Sequence, residues 1–413
     1  MIAAADIVAA SQRLKGIVQH TPLMQNPNLS REYKCQVFLK REDLQLVRSY
    51  KLRGAYNKMC LLSAKQKAQG VVCASAGNHA QGVAYSCLKL GILGEIYMPS
   101  TTPRQKIGQV RMFGGDKVQI VLTGDTYDDA YQAAMEAHRK SGKPFIHPFD
   151  DKDIIIGQGT VGQEILQDAP LHIDYVIVPV GGGGLAAGVG SYLSQLSPGT
   201  HLIGVEPTGA PSMKKSLEKG EIVNLPHINK FVDGASVRRV GKLTFEICKE
   251  MLEDVVLVPE GKVCSTILQL YNQEAIVAEP AGALSIAALD FLRPRIKGKT
   301  VVCILSGGNN DIMRMEEIKE RSLLYEGLKH YFLIRFPQRA GALKEFLVEV
   351  LGPKDDITRF EYTKRNNRET GPALVGIELE NKDDYKHLIQ RMKKLHIQYQ
   401  EINENPNLFN LLV

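Results

Sequence analysis

Residues 175–188 read Tyr-Val-Ile-Val-Pro-Val-Gly-Gly-Gly-Gly-Leu-Ala-Ala-Gly. The run from Tyr175 to Val180 is continuously apolar, which predicts a strand buried on both faces of a sheet. The glycines Gly181 to Gly184 follow, and the small residues after them predict a helix. Glycines at such a junction let the backbone fold around an anion, which backbone amides and the helix dipole attract. The stretch therefore predicts a parallel α/β sheet with a phosphate-binding loop.

The glycine loop matches neither of two common nucleotide-binding patterns. GxxxxGK[ST] is absent, and Ala187 stands where a clean GxGxxG needs its last glycine. No acidic residue suited to binding a ribose is evident. A phosphate that does not belong to a nucleotide is therefore the favoured ligand.

Other apolar runs alternate with amphipathic helical patterns along the first three quarters of the chain. Predicted helices cover 78–90 and 126–140, and further predicted strands cover 70–74, 93–98, 117–122, 202–206 and 300–305. Buried strands separated by helices are typical of parallel sheets covered on both faces. Ligands bind beyond the carboxyl ends of such strands, so we expect a site at the strand-to-loop junctions.

A lysine with cationic neighbours lies in Arg48-Ser49-Tyr50-Lys51-Leu52-Arg53-Gly54. A lysine amine becomes a nucleophile or a base when burial or nearby cations lower its pKa. Arg48 and Arg53 flank Lys51 in sequence and would lower its pKa if they lie close in space. Most lysines are solvated surface residues, so this stretch alone does not identify a site.

Two more junctions follow predicted buried strands. In residues 74–79, Ala-Ser-Ala-Gly-Asn-His, Ser75 or Asn78 is predicted to cap the next helix, which leaves backbone amides free for a carboxylate. In residues 305–309, Leu-Ser-Gly-Gly-Asn, Ser306 would present a neutral hydroxyl. Each junction taken singly is an ordinary turn. Together with the lysine and the glycine loop, they supply the groups that pyridoxal phosphate and an amino acid need.

Composition excludes several classes of protein. With 413 residues, 44% of them hydrophobic, the chain is long enough for two or three globular domains. The net charge of +6 comes from scattered basic residues, so we expect no nucleic-acid partner. No signal-peptide pattern opens the chain and no apolar run has membrane-spanning length, so we expect a cytoplasmic protein without a membrane partner. The cysteines form no metal-ligand spacing.

The sequence closely resembles the threonine and serine dehydratases of the tryptophan-synthase-β-like family, the fold type II pyridoxal-phosphate enzymes. Its matching motifs stand in the family's order: Ser-Tyr-Lys-Leu-Arg-Gly-Ala at 49–55, Ser-Ala-Gly-Asn-His-Ala-Gln-Gly at 75–82, Gly-Gly-Gly-Gly-Leu at 181–185 and Ser-Gly-Gly-Asn at 306–309. The resemblance covers residues 5–320. It implies the cofactor pyridoxal 5'-phosphate and a catalytic domain at 1–322. That domain would have two parallel-sheet subdomains, the smaller one, at roughly 50–155, inserted in the larger.

The resemblance also implies a role for each matching residue. Lys51 would bond to the cofactor aldehyde and then act as acid and base at Cα of the substrate. Asn78 would hydrogen-bond the ring hydroxyl, and Ser306 would face the ring nitrogen. The residues that would cradle the phosphate are Gly181, Gly182, Gly183, Gly184 and Leu185. The loop that would hold the substrate carboxylate carries Ser75, Gly77 and His79.

Ser306 and Ala76 bear on which reaction the enzyme would catalyse. A hydroxyl at Ser306 leaves the ring nitrogen largely neutral and keeps negative charge near Cα, which favours loss of a β-hydroxyl. A carboxylate there would spread the charge into the ring, as transaminases need. Related serine racemases carry a second serine where this chain has Ala76, so racemisation is disfavoured.

The sequence signals for the entrance of the site and for a metal position are weaker than the motifs above. Asp233-Gly-Ala and Glu279-Pro-Ala-Gly resemble family loops at the active-site entrance, although turn chemistry explains them equally well. The serine racemases bind a divalent cation through two acids and a carbonyl. Glu206 and Ala210 match that pattern, but Ser212 replaces the second acid, so we expect no metal.

The pattern changes after residue 320. Predicted elements are a strand at 331–336, a helix up to 351, paired strands at 357–365 and 373–380 around a turn at 366–371, a helix at 383–396 and a strand at 398–402. This βαββαβ order and the Phe-Pro-x-Arg-x-Gly-x-Leu motif at 336–343 resemble an ACT-like α+β regulatory domain, which we place at 323–413. Such domains bind amino acids, so we expect an amino-acid effector. A unit that only mediates oligomerisation is the alternative.

The resemblance therefore implies a lyase that converts L-threonine to 2-oxobutanoate and ammonia, at the first step of isoleucine biosynthesis. Allosteric control by isoleucine or valine and a homotetramer are the matching family expectations. A serine-preferring dehydratase is an alternative, because one methyl group is worth only about 1–3 kcal/mol in a pocket. A non-catalytic amino-acid sensor is a second alternative, disfavoured because Lys51, Asn78 and Ser306 are all present.

Overall fold

The computed structural model describes residues 1–362, 369–405, 408, 409 and 411. It has two compact units, Met1–Ile312 and Met313–Val413. Residues 366–368 of the predicted turn at 366–371 and residues 363–365 of the predicted strand before it lie outside the described residues. None of the helices in the described ranges has the length and apolar character that crossing a bilayer requires.

Helices and strands alternate through the first unit. Its helices are α1 Ala4–Leu14, α2 Pro27–Tyr33, α3 Lys51–Cys60, α4 Ala64–Gln69, α5 Asn78–Leu90, α6 Arg104–Gly114, α7 Tyr127–Ser141, α8 Lys152–Asp168, α9 Gly184–Leu196, α10 Ser212–Lys219, α11 Lys242–Met251, α12 Glu260–Glu274, α13 Pro280–Ala287 and α14 Leu289–Ile296. Its strands are β1 Leu23–Gln25, β2 Gln36–Arg41, β3 Val71–Ala74, β4 Gly94–Met98, β5 Val118–Leu122, β6 Tyr175–Pro179, β7 His201–Pro207, β8 Asp254–Val258 and β9 Thr300–Leu305.

The larger sheet of this unit has the strand order β1-β2-β9-β6-β7-β8. The strands from β2 to β8 in that order are parallel, and the short edge strand β1 is antiparallel to β2. Strand β9 is buried along its whole length and β6 along nearly all of it, as their apolar sequences predict. The carboxyl ends of β2, β9 and β6 therefore lie at one edge of the sheet.

The smaller sheet consists of β3, β4 and β5, all parallel. Strand β3 is fully buried, and its Val71 and Cys73 share an apolar core with Val83 of α5 and Ile96 of β4. The larger sheet has a separate core around β6 and α9. The prediction of two parallel-sheet subdomains is confirmed.

A cluster of paired charges lies under the first turns of α3, and we call it the buried ion cluster: Lys40, Glu42, Arg53 and Glu164. Arg53 Nη2 is 2.8 Å from Glu42 Oε1, and its Nη1 is 2.7 Å from Glu164 Oε1. Lys40 Nζ is 2.7 Å from Glu164 Oε2. These four residues are buried, with two charges of each sign. The cluster joins β2 and the turn after it to α3 and α8.

The second unit is an antiparallel sheet with helices. Its elements are α15 Met315–Glu326, β10 Lys329–Pro337, α16 Ala342–Glu349, β11 Asp356–Tyr362, β12 Thr370–Glu378, α17 Asp384–Lys394 and β13 Gln398–Glu401. The strand order is β11-β12-β10-β13, with every neighbouring pair antiparallel. Phe332, Phe346, Val375 and Leu388 contribute to its apolar core. The predicted βαββαβ order after α15 is confirmed.

Candidate active site

Two loops at the carboxyl edge of the larger sheet pair with each other. Ser49 and Gly307 form an antiparallel bridge. The amide of Tyr50 donates to the carbonyl of Ser306 at 3.2 Å, and the amide of Gly308 donates to the carbonyl of Arg48 at 2.9 Å. These backbone bonds hold the chain that leads into α3, and so Lys51, against the loop that follows β9.

Lys51 is the first residue of α3, and its amine has few partners. Nζ donates to the carbonyl of Pro148 at 3.0 Å and lies 5.3 Å from the centroid of the Tyr50 ring. Burial lowers the pKa of Lys51 to about 8, and the charge of Glu279 opposes that shift. A substantial fraction of the amine is therefore neutral near that pH, as a nucleophile or base requires.

Neither Arg48 nor Arg53 is among the causes that shift the pKa of Lys51, so the condition set for the flanking arginines is not met. Arg53 points its guanidinium into the buried ion cluster, where Glu42 and Glu164 neutralise it. Burial, and not a neighbouring cation, is what shifts the pKa of Lys51.

Lys51 opens onto a cavity of about 1010 Å³ bounded by loops from both sheets of the first unit. Most of the predicted site residues lie on its wall: Lys51, Ser75, Gly77, Asn78, His79, Gly181, Gly182 and Ser306. The other three, Gly183, Gly184 and Leu185, form the turn and the first residues of α9 next to Gly182. The structure thus brings all four sequence motifs to one cavity.

Asn78 begins α5 and is held at both ends of its amide. Nδ2 donates to Glu279 Oε1 at 2.6 Å, and Oδ1 accepts from Asn309 Nδ2 at 2.7 Å. The prediction that Ser75 or Asn78 caps this helix is wrong, because Gly77 is the N-cap and no side chain among the described residues caps the first turn. The hydroxyl of Ser75 instead accepts from the amide of Gly77 at 3.3 Å. The first amides of α5 therefore have no capping side chain as acceptor.

His79 is buried and uncharged. Its Nε2 must donate to the carbonyl of Ile146, 2.9 Å away, because a carbonyl only accepts. Burial, followed by the charge of Lys51, lowers the pKa of His79 to about 3. The remaining Nδ1 is an acceptor, so backbone amides and the Ser75 hydroxyl are better suited than this ring to bind a carboxylate.

Packing determines the conformation of the glycine loop. Gly183 has a φ of 92°, in the left-handed region that favours glycine. A Cβ added at Gly182 would lie 2.2 Å from Cγ of Phe149, so only glycine fits beneath that ring. The hydroxyl of Thr244 donates to the carbonyl of Gly182 at 2.6 Å. The loop leads directly into the N-terminus of α9, whose amides and dipole attract an anion.

Ser306 offers a neutral and weakly engaged hydroxyl. The residue is only 3% exposed, and its Oγ donates to the carbonyl of Ala281 over a long 3.4 Å. A stronger acceptor in the cavity could compete for this proton.

Glu279 is the residue whose importance the sequence patterns do not reveal. It is buried at the start of α13, lines the cavity and contacts Asn78. Burial, and then the charge of Asp233, raises the pKa of Glu279 to about 7. The sequence pointed to Glu279 only through its Glu-Pro pair, in a loop that resembles the active-site entrance loops of the family. The contact itself joins residues 201 positions apart, which no local pattern can show.

Glu206, the first acid of the possible metal position, has another task. Its carboxylate accepts from the amides of Met213 and Lys214 at 2.7 and 2.8 Å, and from the Ser212 hydroxyl at 3.3 Å. It therefore caps α10. Within the described part of the chain, no group of three or more His, Cys, Asp or Glu side chains is placed to hold a metal ion.

The residues around the cavity fit pyridoxal phosphate. A partly neutral lysine suits its aldehyde, and the N-terminus of α9 suits its phosphate. Asn309 Oδ1 and Ser236 Oγ are buried on residues of the cavity wall, and neither atom has a hydrogen-bond partner among the described residues. Buried polar atoms without partners are costly unless a ligand satisfies them. A polar aromatic cofactor would do so.

Comparison with known proteins covers both units. Residues 14–307 match the family described as pyridoxal-phosphate dependent enzyme, and residues 320–412 match the C-terminal regulatory domain of threonine dehydratase. Among curated proteins, the chain is 60% identical over 408 residues to the biosynthetic L-threonine dehydratase IlvA of Halalkalibacterium halodurans, covering 99% of this chain and 98% of that protein. It is 59% identical over 413 residues to the protein of the same name from Bacillus subtilis, covering 100% and 98%.

Solved structures of two related enzymes are also similar to this chain. The processed form of threonine deaminase isoform 2 from Solanum lycopersicum is 41% identical, with a TM-score of 0.72 over 77% of this chain and 92% of that chain. The serine racemase of maize is 29% identical, with a TM-score of 0.72 over 78% and 98%. Both likenesses extend over nearly the whole length of the solved protein.

Proposed function

Because this chain belongs to the pyridoxal-phosphate-dependent enzymes and ends in the regulatory domain of the threonine dehydratases, we propose that it converts L-threonine to 2-oxobutanoate and ammonia. It is a lyase that depends on pyridoxal phosphate. The observation that carries the proposal is the convergence of Lys51, Asn78, the glycine loop and Ser306 on one cavity.

Each of these residues has a proposed task in holding the cofactor. Lys51 would bond to its aldehyde, Asn78 and Ser306 would bind polar atoms of its ring, and the loop from Gly181 to Leu185 would bind its phosphate. When bound, pyridoxal phosphate supplies an electron-withdrawing ring that stabilises negative charge at Cα of an amino acid. The carboxylate of the substrate binds at the start of α5, near Ser75 and Gly77, where the first amides have no capping side chain.

Lys51 is the proposed base and acid at the substrate. A neutral Nζ can take the proton from Cα, and burial keeps a neutral fraction available near pH 8. The protonated Nζ then returns this proton to the hydroxyl at Cβ, which leaves as water, and hydrolysis of the released enamine gives 2-oxobutanoate and ammonia. Ala76 lines the same cavity but has no proton to give to the opposite face of Cα. Elimination is therefore favoured over racemisation.

The second unit is the proposed site of control. An effector amino acid, isoleucine or valine, binds there, and the reaction is the first step of isoleucine biosynthesis. The match to a threonine dehydratase regulatory domain supports this assignment. We place the catalytic domain at 1–322 and the regulatory domain at 323–413, and propose a cytoplasmic homotetramer.

Release of oxo acid from threonine and from serine by the purified protein tests the proposal. We expect a yellow protein that prefers threonine, and a colourless and inactive Lys51→Ala variant. Lys58→Ala is the matched control, because Lys58 lies on the same helix but pairs with Asp151 and Asp153. Isoleucine and valine are then titrated into the active enzyme.

Three results would contradict parts of this proposal. Preference for serine would assign the chain to the serine dehydratases. A protein that stays colourless and inactive with added pyridoxal phosphate would leave only an amino-acid sensor. An active enzyme that neither amino acid affects would limit the second unit to oligomerisation.

A further inference from the structure

Glu279 contacts both loops that carry the proposed partners of the cofactor ring. It directly precedes α13 and is only 6% exposed. Its amide donates to the carbonyl of Gly307 at 3.1 Å, and its Oε1 accepts from Asn78 Nδ2 at 2.6 Å. One acidic residue therefore joins the start of α5 to the loop of Ser306.

The carboxylate of Glu279 packs closely against Gly307, the glycine after Ser306. A Cβ added at Gly307 would lie 2.3 Å from Glu279 Oε1, far inside van der Waals contact. The backbone of Gly307 is not in the left-handed region, so the turn does not itself require glycine. A side chain at position 307 would displace the carboxylate end of the flexible Glu279 side chain. Gly307 and the side chain of Glu279 are therefore in close contact.

The charge of Glu279 determines how the amide of Asn78 is oriented. An ionised carboxylate only accepts hydrogen bonds, so Asn78 must turn its NH₂ group toward Glu279. Its Oδ1 then accepts from Asn309, as observed. One hydrogen of Nδ2 remains for a third partner, and a ring hydroxyl or phenolate in the cavity is a suitable acceptor.

We infer that Glu279 is a positioning residue, which holds the Asn78 amide with its NH₂ group available to the ring oxygen of the cofactor. This inference rests on the proposed function. When Glu279 is protonated it can donate as well as accept, and Asn78 is no longer confined to one orientation. The affinity for the cofactor and the spectrum of the bound cofactor therefore depend on the charge of Glu279, which acts through Asn78 and need not contact the cofactor.

The surroundings of Glu279 allow its charge to change near neutral pH. Burial and Asp233 raise its pKa, to about 7, while Asn78 and Lys106 on α6 act in the opposite direction. Lys106 and Asp233 form an ion pair with each other. Lys51 on α3 and Tyr50, the residue before it, also interact with the charge of Glu279.

A double-mutant cycle tests whether Glu279 acts through Asn78. Glu279→Gln, Asn78→Ala and the double variant are prepared without cofactor, and their dissociation constants for pyridoxal phosphate are measured. We expect Glu279→Gln to weaken binding about tenfold when Asn78 is present, and less than about twofold when it is Ala. Equal losses in both backgrounds would overturn the inference, because Glu279 would then act independently of Asn78.

A pH titration of the visible absorption of each holoenzyme provides a second readout. We expect a transition near neutral pH in the wild type that disappears in Glu279→Gln and persists in Glu279→Asp, which keeps the charge. Glu206→Gln is the matched control, because Glu206 is also buried and burial also raises its pKa to about 7. That variant should keep the transition. A transition that survives in Glu279→Gln would overturn the inference. This test does not depend on the double-mutant cycle, so it applies even if one of the cycle's variants does not fold.

The wild type separates failure of this inference from failure of the proposed function. A wild type that binds pyridoxal phosphate and deaminates threonine, with an additive cycle, contradicts only the role of Glu279. A wild type that does neither contradicts the function on which the inference rests.

Discussion

Two buried groups of charges lie on either side of the first turn of α3, and they are built differently. In the buried ion cluster, Arg53 has Glu42 and Glu164 as partners, and Lys40 also pairs with Glu164. In the active-site cavity, Lys51 has one hydrogen bond, to Pro148, among the described residues. Arg53 is fully buried and paired directly with two carboxylates, whereas Lys51 faces the cavity and is compensated only in part, by the charge of Glu279.

The pKa directions reflect this difference. Burial alone would raise the pKa of Glu164, but Arg53 and Lys40 outweigh it and hold that pKa below its usual value. Glu279 is in no ion pair among the residues that the structure describes, and its pKa rises to about 7. A compensated cluster stabilises one conformation, whereas uncompensated groups stay ready to exchange protons or bind a ligand. The comparison teaches that burial of charge identifies a site only where pairing is incomplete.

Removal of the cavity lysine should give the largest effect on activity and almost none on stability. Lys51→Ala should lower kcat by on the order of 10³-fold or more, since it removes the base at Cα. Its midpoint of urea denaturation should stay at or above that of the wild type, because an incompletely paired buried amine is lost. Activity assays and urea titrations measure both. A large loss of stability would place Lys51 with the structural charges.

Removal of the cluster arginine should show the opposite pattern. Arg53→Met leaves Glu42 and Glu164 without their shared cation, which should cost about 3–5 kcal/mol of unfolding free energy. Lys58→Met on the same helix is the control, because its partly exposed pairs are worth about 0–1 kcal/mol. Urea denaturation compares the two variants. Equal and small losses would show that the cluster contributes no more than a surface pair.

Neutralisation of Glu279 and neutralisation of Glu164 should change the stability of the fold with opposite signs. The native protein keeps a proton on Glu279 up to a pKa of about 7, above the ordinary 4.5, so this residue makes stability fall as pH rises between those values. Glu279→Gln should therefore gain about 1–3 kcal/mol over the wild type by pH about 8, and less at pH about 5. Glu164→Gln should lose stability at pH about 8, since its lowered pKa stabilises the fold there. Urea denaturation of both variants and the wild type at both pH values measures these changes. Stability changes of the same sign in the two variants would remove the distinction between the two regions.

A hydrogen bond beneath the glycine loop should give the smallest effect. Thr244→Val removes the donor to the Gly182 carbonyl, which should weaken binding of pyridoxal phosphate about fivefold. Thr266→Val is the matched control: Thr266 is equally buried but donates to the carbonyl of Lys262, within α12. Cofactor titration of both variants measures the effect. Unchanged affinity in Thr244→Val would show that packing against Phe149 alone holds the loop.

Local sequence patterns predicted most elements near the site. Helix α5 and strand β9 have the predicted bounds, because strand burial and helical periodicity depend on neighbouring residues. Strand β2 was not predicted from its pattern, since it ends in the charged Lys40-Arg41. Its Lys40 is buried and pairs with Glu164 of α8, which no local pattern shows.

The sequence by itself determined the parallel α/β class, the second α+β unit and the motifs that bring Lys51, Asn78, the glycine loop and Ser306 to strand ends. These features depend on apolar periodicity and on what glycine, lysine and serine can do. The tertiary structure alone decided which buried charges are paired. Asn78 meets Glu279 across 201 positions and Arg53 meets Glu164 across 111. Desolvation and pairing are properties of the folded environment, so the pKa values of Lys51 and Glu279 follow from three-dimensional contacts and not from adjacent residues.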